Sequence, residues 1–241
     1  MFDSPPRLSV VKRGVMDIYN GMRKMVSSLR DPVSGLTHFI GALLSLTGLF
    51  LLMWKTSHPF NPWNFSTCIV FGMGLILLYT VSTLYHWLPL SESGTMRMRK
   101  LDHIMIFVLI ASTYTPFCLV PFRGKFGWIM FACVWGIAVL GTAFKLFWIH
   151  APRWISTLVY VLMGWIGVAG IGTVFQVLEP RALFWLVSGG VLYSIGAVIY
   201  ACKRPDPIPH ILGFHEIFHV FVMLGSLSHF WVIYRYISAY A

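Results

Sequence analysis

The sequence predicts an all-α, polytopic integral membrane protein that forms a seven-transmembrane helix bundle. Of its 241 residues, 57% are hydrophobic and only 11% are charged, and the mean hydropathy is +0.74. Soluble domains carry roughly 25% charged residues, so this composition excludes the soluble class. After residue 32 the chain contains seven apolar stretches, each close to the ~20 residues that a helix needs to cross a bilayer.

Short polar or Pro/Gly-containing breaks separate these stretches, and none is long enough to hold a second domain. The predicted spans 1 to 7 are Val33 to Trp54, Thr67 to Leu88, Ile104 to Val120, Trp128 to Trp148, Ile155 to Val174, Leu183 to Tyr200 and Ile211 to Ile233. We therefore divide the chain into an N-terminal segment, residues 1–32, and a transmembrane domain, residues 33–241.

The N-terminal segment is predicted to be a basic amphipathic helix in the cytoplasmic interface. Val11, Val15 and Ile18 begin an apolar stripe at helical spacing, and Lys12 and Arg13 lie off that stripe. A partly ordered basic tail is the alternative.

Lysine and arginine predict the orientation, because basic loops tend to stay in the cytoplasm. With the N-terminus cytoplasmic and the C-terminus outside, only Lys55, Arg123, Lys125, Arg181 and Arg235 of the 18 basic residues fall outside. The net charge of +10 then indicates topology and contact with anionic lipids, not nucleic-acid binding. The expected location is the cell membrane, as a multi-pass protein.

Small side chains within the spans are expected to serve packing. The cysteines, predicted to be buried and free of disulfides, are Cys68, Cys118, Cys133 and Cys202. The residues expected to allow close helix packing are Gly164, Gly167 and Gly170 in span 5 and Ser188, Gly189 and Gly190 in span 6.

Ionisable residues inside the spans predict a metal site. His215 and His219 lie ~6 Å apart along one helix face, which lets both bind one ion. The predicted topology brings His86, at the end of span 2, to the same depth as a third ligand. Asp102, at the start of span 3, is placed to accept a proton from the metal-bound water, and Ser82 to orient a ligand or bind an oxyanion.

The other histidines are expected to have ordinary roles. We expect His38, His103 and His229 to hydrogen-bond neighbouring helices. His229 lies ~15 Å along the helix from His219, too far to share its ion. The histidines in loops or at span ends, expected to be solvated, are His58, His150 and His210. Asp102 has an alternative role as well, favouring the positive end of a helix dipole.

The sequence His215-Glu216-x-x-His219 also matches the zincin signature, in which Glu216 would be the general base of a metalloprotease. Such a protease needs a further carboxylate ligand. Asp102 is the only candidate outside this helix within the spans.

Several motifs together resemble the bacterial hemolysin III family, which is related to the progestin and adiponectin receptors. They are Thr37-His38-Phe39-Ile40-Gly41, Ser82-Thr83-Leu84-Tyr85-His86, Lys100-Leu101-Asp102-His103, His215-Glu216-Ile217-Phe218-His219 and Ser228-His229-Phe230. The resemblance covers essentially the whole chain after about residue 30.

This resemblance implies a seven-helix bundle with the N-terminus inside and Zn²⁺ held by His86, His215 and His219, with Asp102 near the metal water. It also implies that Glu216 is not essential, which disfavours the protease. At the family's acidic and asparagine positions ahead of the histidine of span 1, this chain has Asp31 and Ser34.

The wider superfamily resembles alkaline ceramidases, which implies zinc-dependent hydrolysis of a lipid amide or ester bound in the bundle cavity. Asp102 would then be the base and Ser82 would stabilise the oxyanion. Two alternatives stay open: a pore-forming, cytolytic protein, as the family name implies, and a non-enzymatic lipid sensor or membrane-homeostasis protein with a structural zinc. No polar stripe of the kind that lines a pore runs through the spans. The oligomeric state is also open.

Overall fold

Seven long apolar helices occur among the residues that the structure describes, and they confirm the predicted all-α, seven-helix fold class. A computed structural model describes residues 29–208 and 211–240. The spans run Pro32–Thr56, Pro62–Trp87, Glu92–Leu119, Lys125–Phe147, Arg153–Val177, Pro180–Cys202 and Phe214–Ala239. The predicted N-terminal amphipathic helix has an apolar stripe over residues 11–29, of which residues 11–28 lie outside the described residues.

Local sequence explains where the helices begin. Span 2 starts at Pro62 because the Asn61 side chain accepts hydrogen bonds from two backbone N–H groups of its first turn. Span 3 starts at Glu92, after Ser91, whose side chain accepts from the backbone N–H of Gly94. The predicted start of span 3 at Ile104 is therefore wrong, because its polar first turns continue the helix beyond the apolar stretch.

Span 5 is interrupted near its middle. One α-helix, Arg153–Gly164, is followed by a 3-10 turn, Ile166–Gly170, and a second α-helix, Ile171–Val177. The Tyr114 hydroxyl of span 3 donates to the Gly164 carbonyl at 2.6 Å and accepts from the Gly167 N–H at 3.1 Å. It thereby satisfies backbone groups that the break releases, which an apolar environment requires.

The glycines of spans 5 and 6 fulfil the packing prediction only in part. Gly170 lies against the ring of Phe126, and Gly189 against that of His229, so a larger side chain at either glycine would collide. An added Cβ at Gly164 would meet nothing within 4 Å. The packing interpretation of Gly164 is therefore wrong, and this glycine ends a helix instead.

Packing between the spans closes the bundle. Spans 1 to 4 pack as consecutive neighbours, spans 6 and 7 pack together, and span 1 also packs against span 7. The largest buried apolar side chains of the core include Leu52, Phe71, Phe107, Val232 and Ile233. We call the end where span 1 begins the histidine end, since it also holds the end of span 2 and the starts of spans 3 and 7.

The cysteines are free thiols, as expected, but only two are buried. Cys68 and Cys118 lie in the core, whereas Cys133 and Cys202 are exposed. Their predicted burial is wrong because an apolar side chain on a membrane helix can face lipid as readily as protein.

Candidate metal centre

The structure brings the three predicted histidines together at the histidine end. One ligand atom from each of His86, His215 and His219 lies within 4.8 Å of the others. His86 lies in the last turn of span 2, and the other two lie one turn apart at the start of span 7. His86 and His219 are buried. The cluster therefore combines the spacing and the partial exclusion of water that a metal site requires.

Hydrogen bonds outside the cluster orient two of the rings. His86 Nδ1 lies 2.9 Å from Asp31 Oδ2. His219 Nδ1 lies 3.0 Å from the Thr37 hydroxyl and 3.3 Å from the Ser34 carbonyl. A carboxylate or carbonyl partner of this kind fixes the tautomer of a metal-binding histidine, which leaves Nε2 as the nitrogen available to an ion.

The donor set fits a cation. With His86 Nδ1 donating a hydrogen bond to Asp31, the neutral ring has its lone pair on Nε2, and this Nε2 lies 3.2 Å from His215 Nε2. A bound Zn²⁺ would satisfy both nitrogens at once, and three neutral imidazoles leave a fourth tetrahedral position for water or substrate. Burial alone would raise the pKa of Asp31, but interactions of its carboxylate with neighbouring polar side chains, first of all the hydrogen bond with His86, bring this pKa below its usual value.

Asp31 is held at the end of span 2 by its backbone. Its N–H donates to the His86 carbonyl at 2.9 Å, and Gly35 lets span 1 lie directly against the ring of Trp87. The sequence interpretation gave no role to Asp31 or Thr37, because their histidine partners lie 55 and 182 residues away. The signals for Asp31 in the sequence are its position directly before the proline that starts a span and its match to the acidic position of the family that the chain resembles.

His38 packs against the cluster instead of hydrogen-bonding a helix. Its ring stacks on that of His219, with centroids 3.6 Å apart, and Tyr79 contacts it edge-on. Within the described residues, both His38 ring nitrogens and Nδ1 of His103 and of His229 have no hydrogen-bond partner. The predicted interhelical hydrogen bonds of these three histidines are not seen among the described residues. Ring contacts take their place at His38 and at His229, which stacks on Tyr193.

Asp102 and Ser82 lie beside each other and line the same cavity as His86. Ser82 is buried and Asp102 is partly buried. Since span 3 begins at Glu92, Asp102 is nearly three turns inside the helix. The alternative that placed this carboxylate at a helix dipole is therefore wrong.

Glu216 is engaged away from the ligand cluster. Its carboxylate accepts a hydrogen bond from the Ser34 hydroxyl and another, 2.8 Å long, from the backbone N–H of Gly213. These contacts cap the start of span 7 and fasten span 1 to it. They give Glu216 a structural role, which explains its presence without a function as the general base of a protease.

A cavity of about 650 Å³ extends from the histidine end deep into the bundle. Its polar lining at that end includes Ser82, Asp102 and the three clustered histidines. Its opposite part is lined by apolar side chains such as Phe117, Phe122 and Val174. A polar end joined to a long apolar part matches the chemistry of a lipid.

Known proteins resemble this chain over most of its length. Residues 26–230 match the family described as "Haemolysin-III related". The chain is 34% identical to "Hemolysin-3 homolog" of Bacillus subtilis (strain 168) over 212 residues, 88% of this chain and 96% of the relative. It is also 34% identical to "Hemolysin-3" of Bacillus cereus over 218 residues, 90% of this chain and 96% of that protein.

A human protein, "Monocyte to macrophage differentiation factor", is 26% identical over 182 residues, 73% of this chain and 72% of the relative. It supports the expected relationship to the progestin and adiponectin receptors. With its seven apolar helices and these two comparisons at 34% identity, the chain is a multi-pass membrane protein that belongs to the hemolysin III family.

Proposed function

We propose that the protein is a zinc-dependent hydrolase of lipid amides or esters. The observation that carries this proposal is the position of the histidine cluster, whose ligand atoms lie within 4.8 Å of one another at the polar end of a long, mostly apolar cavity. His86, His215 and His219 would hold the ion. A structural site alone would not require such a cavity next to it.

Zn²⁺, when bound, supplies a Lewis acid that polarises a carbonyl oxygen and lowers the pKa of a bound water towards ~7. Asp102 is the general base: it removes a proton from the attacking water and returns it to the leaving amine or alkoxide. The Ser82 hydroxyl, beside Asp102, donates a hydrogen bond to the oxyanion that develops. The apolar part of the cavity holds the acyl chain and so positions the scissile bond.

The names of the Bacillus relatives point to lysis, and a pore is the competing function. A water-filled path needs polar groups along its whole length. The cavity becomes apolar towards the end opposite the histidines, around Phe117 and Phe122. This lining favours a bound lipid tail over a continuous column of water and ions.

The test combines metal analysis with turnover on detergent-purified protein. We expect about one zinc per chain by mass spectrometry, its loss in His219→Ala, and its retention in Asp102→Asn together with loss of lipid-amide turnover. His58→Ala removes an exposed histidine in the loop after span 1 and is the matched control. It should keep both metal and turnover.

Each other outcome would contradict part of the proposal. Zinc without turnover in the wild type would favour a structural zinc in a lipid sensor. Dye release from vesicles that His219→Ala leaves unchanged would favour a pore. Absence of metal from every sample would refute the histidine site.

A further inference from the structure

A second group of polar side chains, separate from the histidines, lies at the same end of the cavity. Lys145, in the last turn of span 4, is 1% exposed and donates a hydrogen bond to the Ser156 hydroxyl of span 5. Arg153 begins span 5, and its Nη1 is buried with no hydrogen-bond partner in the described residues. Burying such cations is costly unless an anion compensates them.

Carboxylates of the described residues do not reach ion-pair distance of these cations. Within residues 29–208 and 211–240, the one pair that meets ion-pair distance is His86 with Asp31. The guanidinium carbon of Arg153 instead lies 5.2 Å from the ring centroid of Tyr200 and 5.6 Å from that of Phe214. These cation–π contacts fix its position but leave its N–H groups available to an acceptor.

The geometry directs this group at the cavity. Arg153 and Ser156 lie about one turn apart on span 5, and both line the cavity, as does Arg99 of span 3. Lys145 supports Ser156 through its hydrogen bond. Two guanidinium groups and a hydroxyl backed by an ammonium form a set of donors suited to a phosphate or carboxylate. Two carboxylates also line the cavity: Asp31 is bonded to His86, and Asp102 is bonded to Ser82 and attracts Arg99 through its charge, without reaching ion-pair distance.

We propose that Arg99, Arg153 and Ser156, backed by Lys145, form a subsite for the oxyanion of a lipid headgroup, whose acyl chain occupies the apolar part of the cavity. The ring of Tyr200 is a neighbour of both this subsite and the histidines, with its centroid 5.2 Å from the Arg153 guanidinium and 5.9 Å from the His215 ring centroid. The proposal deepens the proposed function by naming the headgroup class, and it does not require the reaction.

The experiment measures binding of radiolabelled oleoyl lysophosphatidic acid to the full chain in detergent, after a chelator has removed metal. Three unlabelled competitors separate the parts of the ligand: oleate has a carboxylate and the same tail, monooleoylglycerol has the tail without charge, and inorganic phosphate has the charge without the tail. We expect oleate to compete and monooleoylglycerol to compete at least about tenfold less well. Inorganic phosphate should not displace the probe.

Variants assign the binding to the subsite. Arg153→Gln should weaken binding of the lysophospholipid about tenfold or more and leave binding of monooleoylglycerol unchanged. Arg153→Lys keeps the positive charge and should weaken lysophospholipid binding less. Arg181→Gln removes an exposed arginine from the corresponding first turn of span 6, at the opposite end of the bundle. This control should bind like the wild type, and thermal unfolding of each variant confirms that it is folded.

Three results would overturn the proposal. Equal competition by monooleoylglycerol would show that the headgroup charge is not recognised. Displacement by inorganic phosphate at similar concentrations would show a site for free anions. Binding that appears only when zinc is restored would assign the anion to the histidine site. Failure of the hydrolase proposal is distinguishable, since it leaves the binding to metal-free protein intact.

Discussion

At the scale of single residues, Asp31 is expected to set the metal affinity of the histidine cluster. Its carboxylate lies 2.9 Å from His86 Nδ1, and its lowered pKa keeps it ionised at neutral pH. Asp31→Asn keeps the shape of the side chain but removes the charge that makes His86 a stronger ligand. Loss of such a partner typically lowers metal affinity about 10- to 100-fold.

Competition with a zinc chelator of known affinity measures this effect. Asp206→Asn, at an exposed aspartate in the loop before span 7, is the control and should leave the affinity unchanged. If Asp31→Asn also bound zinc like the wild type, the contact with His86 would serve only to join spans 1 and 2.

The histidines of the candidate site were easier to predict than the hydrogen bonds that hold their rings in place. His215 and His219 share a helix face whatever the rest of the fold does, and alternation of the spans brings His86 to the same end. The contacts of Asp31 with His86 and of Thr37 with His219 depend on how span 1 rotates against spans 2 and 7. No periodicity in the sequence encodes that rotation.

At the scale of helices, the seven spans were predictable because about 20 apolar residues are needed to cross a bilayer. The ends of the spans were harder to predict, because a helix can extend beyond its apolar stretch, as the polar first turns of span 3 do. The interruption of span 5 was not predicted. The spacing of Gly164, Gly167 and Gly170 predicts close packing and gives no sign of a break. The neighbouring Tyr114 hydroxyl shows why the helix can break there.

Tyr114→Phe tests how far that hydroxyl stabilises the break. The change leaves the Gly164 carbonyl and the Gly167 N–H without their partner, and each unpaired group costs about 1–3 kcal/mol in an apolar environment. We expect a lower unfolding temperature in detergent and faster amide exchange around Gly167. Tyr236→Phe is the control, because the described residues show no hydrogen bond from its hydroxyl. Equal stability of the two variants would mean that water or detergent replaces the Tyr114 hydroxyl.

At the scale of the whole molecule, seven spans place the two ends of the bundle on opposite sides of the membrane. Arg30, Arg97, Arg99 and Lys100 lie at the histidine end, whereas the loop after span 3 holds Arg123, and Lys125 begins span 4. Because basic loops tend to remain in the cytoplasm, we predict that the histidine cluster faces the cytoplasm. The metal and any water-soluble product would then exchange with the cytoplasmic side.

Single cysteines in a cysteine-free background test this orientation. Glu179→Cys, in the exposed loop before span 6, should react with a membrane-impermeant maleimide in intact cells. Ser93→Cys, exposed at the start of span 3, should react only after the cells are permeabilised. Because both positions are exposed, the difference reports the side of the membrane and not burial. The opposite pattern would place the histidines and the Arg153 subsite outside, and the ligand would then have to enter from the outer leaflet.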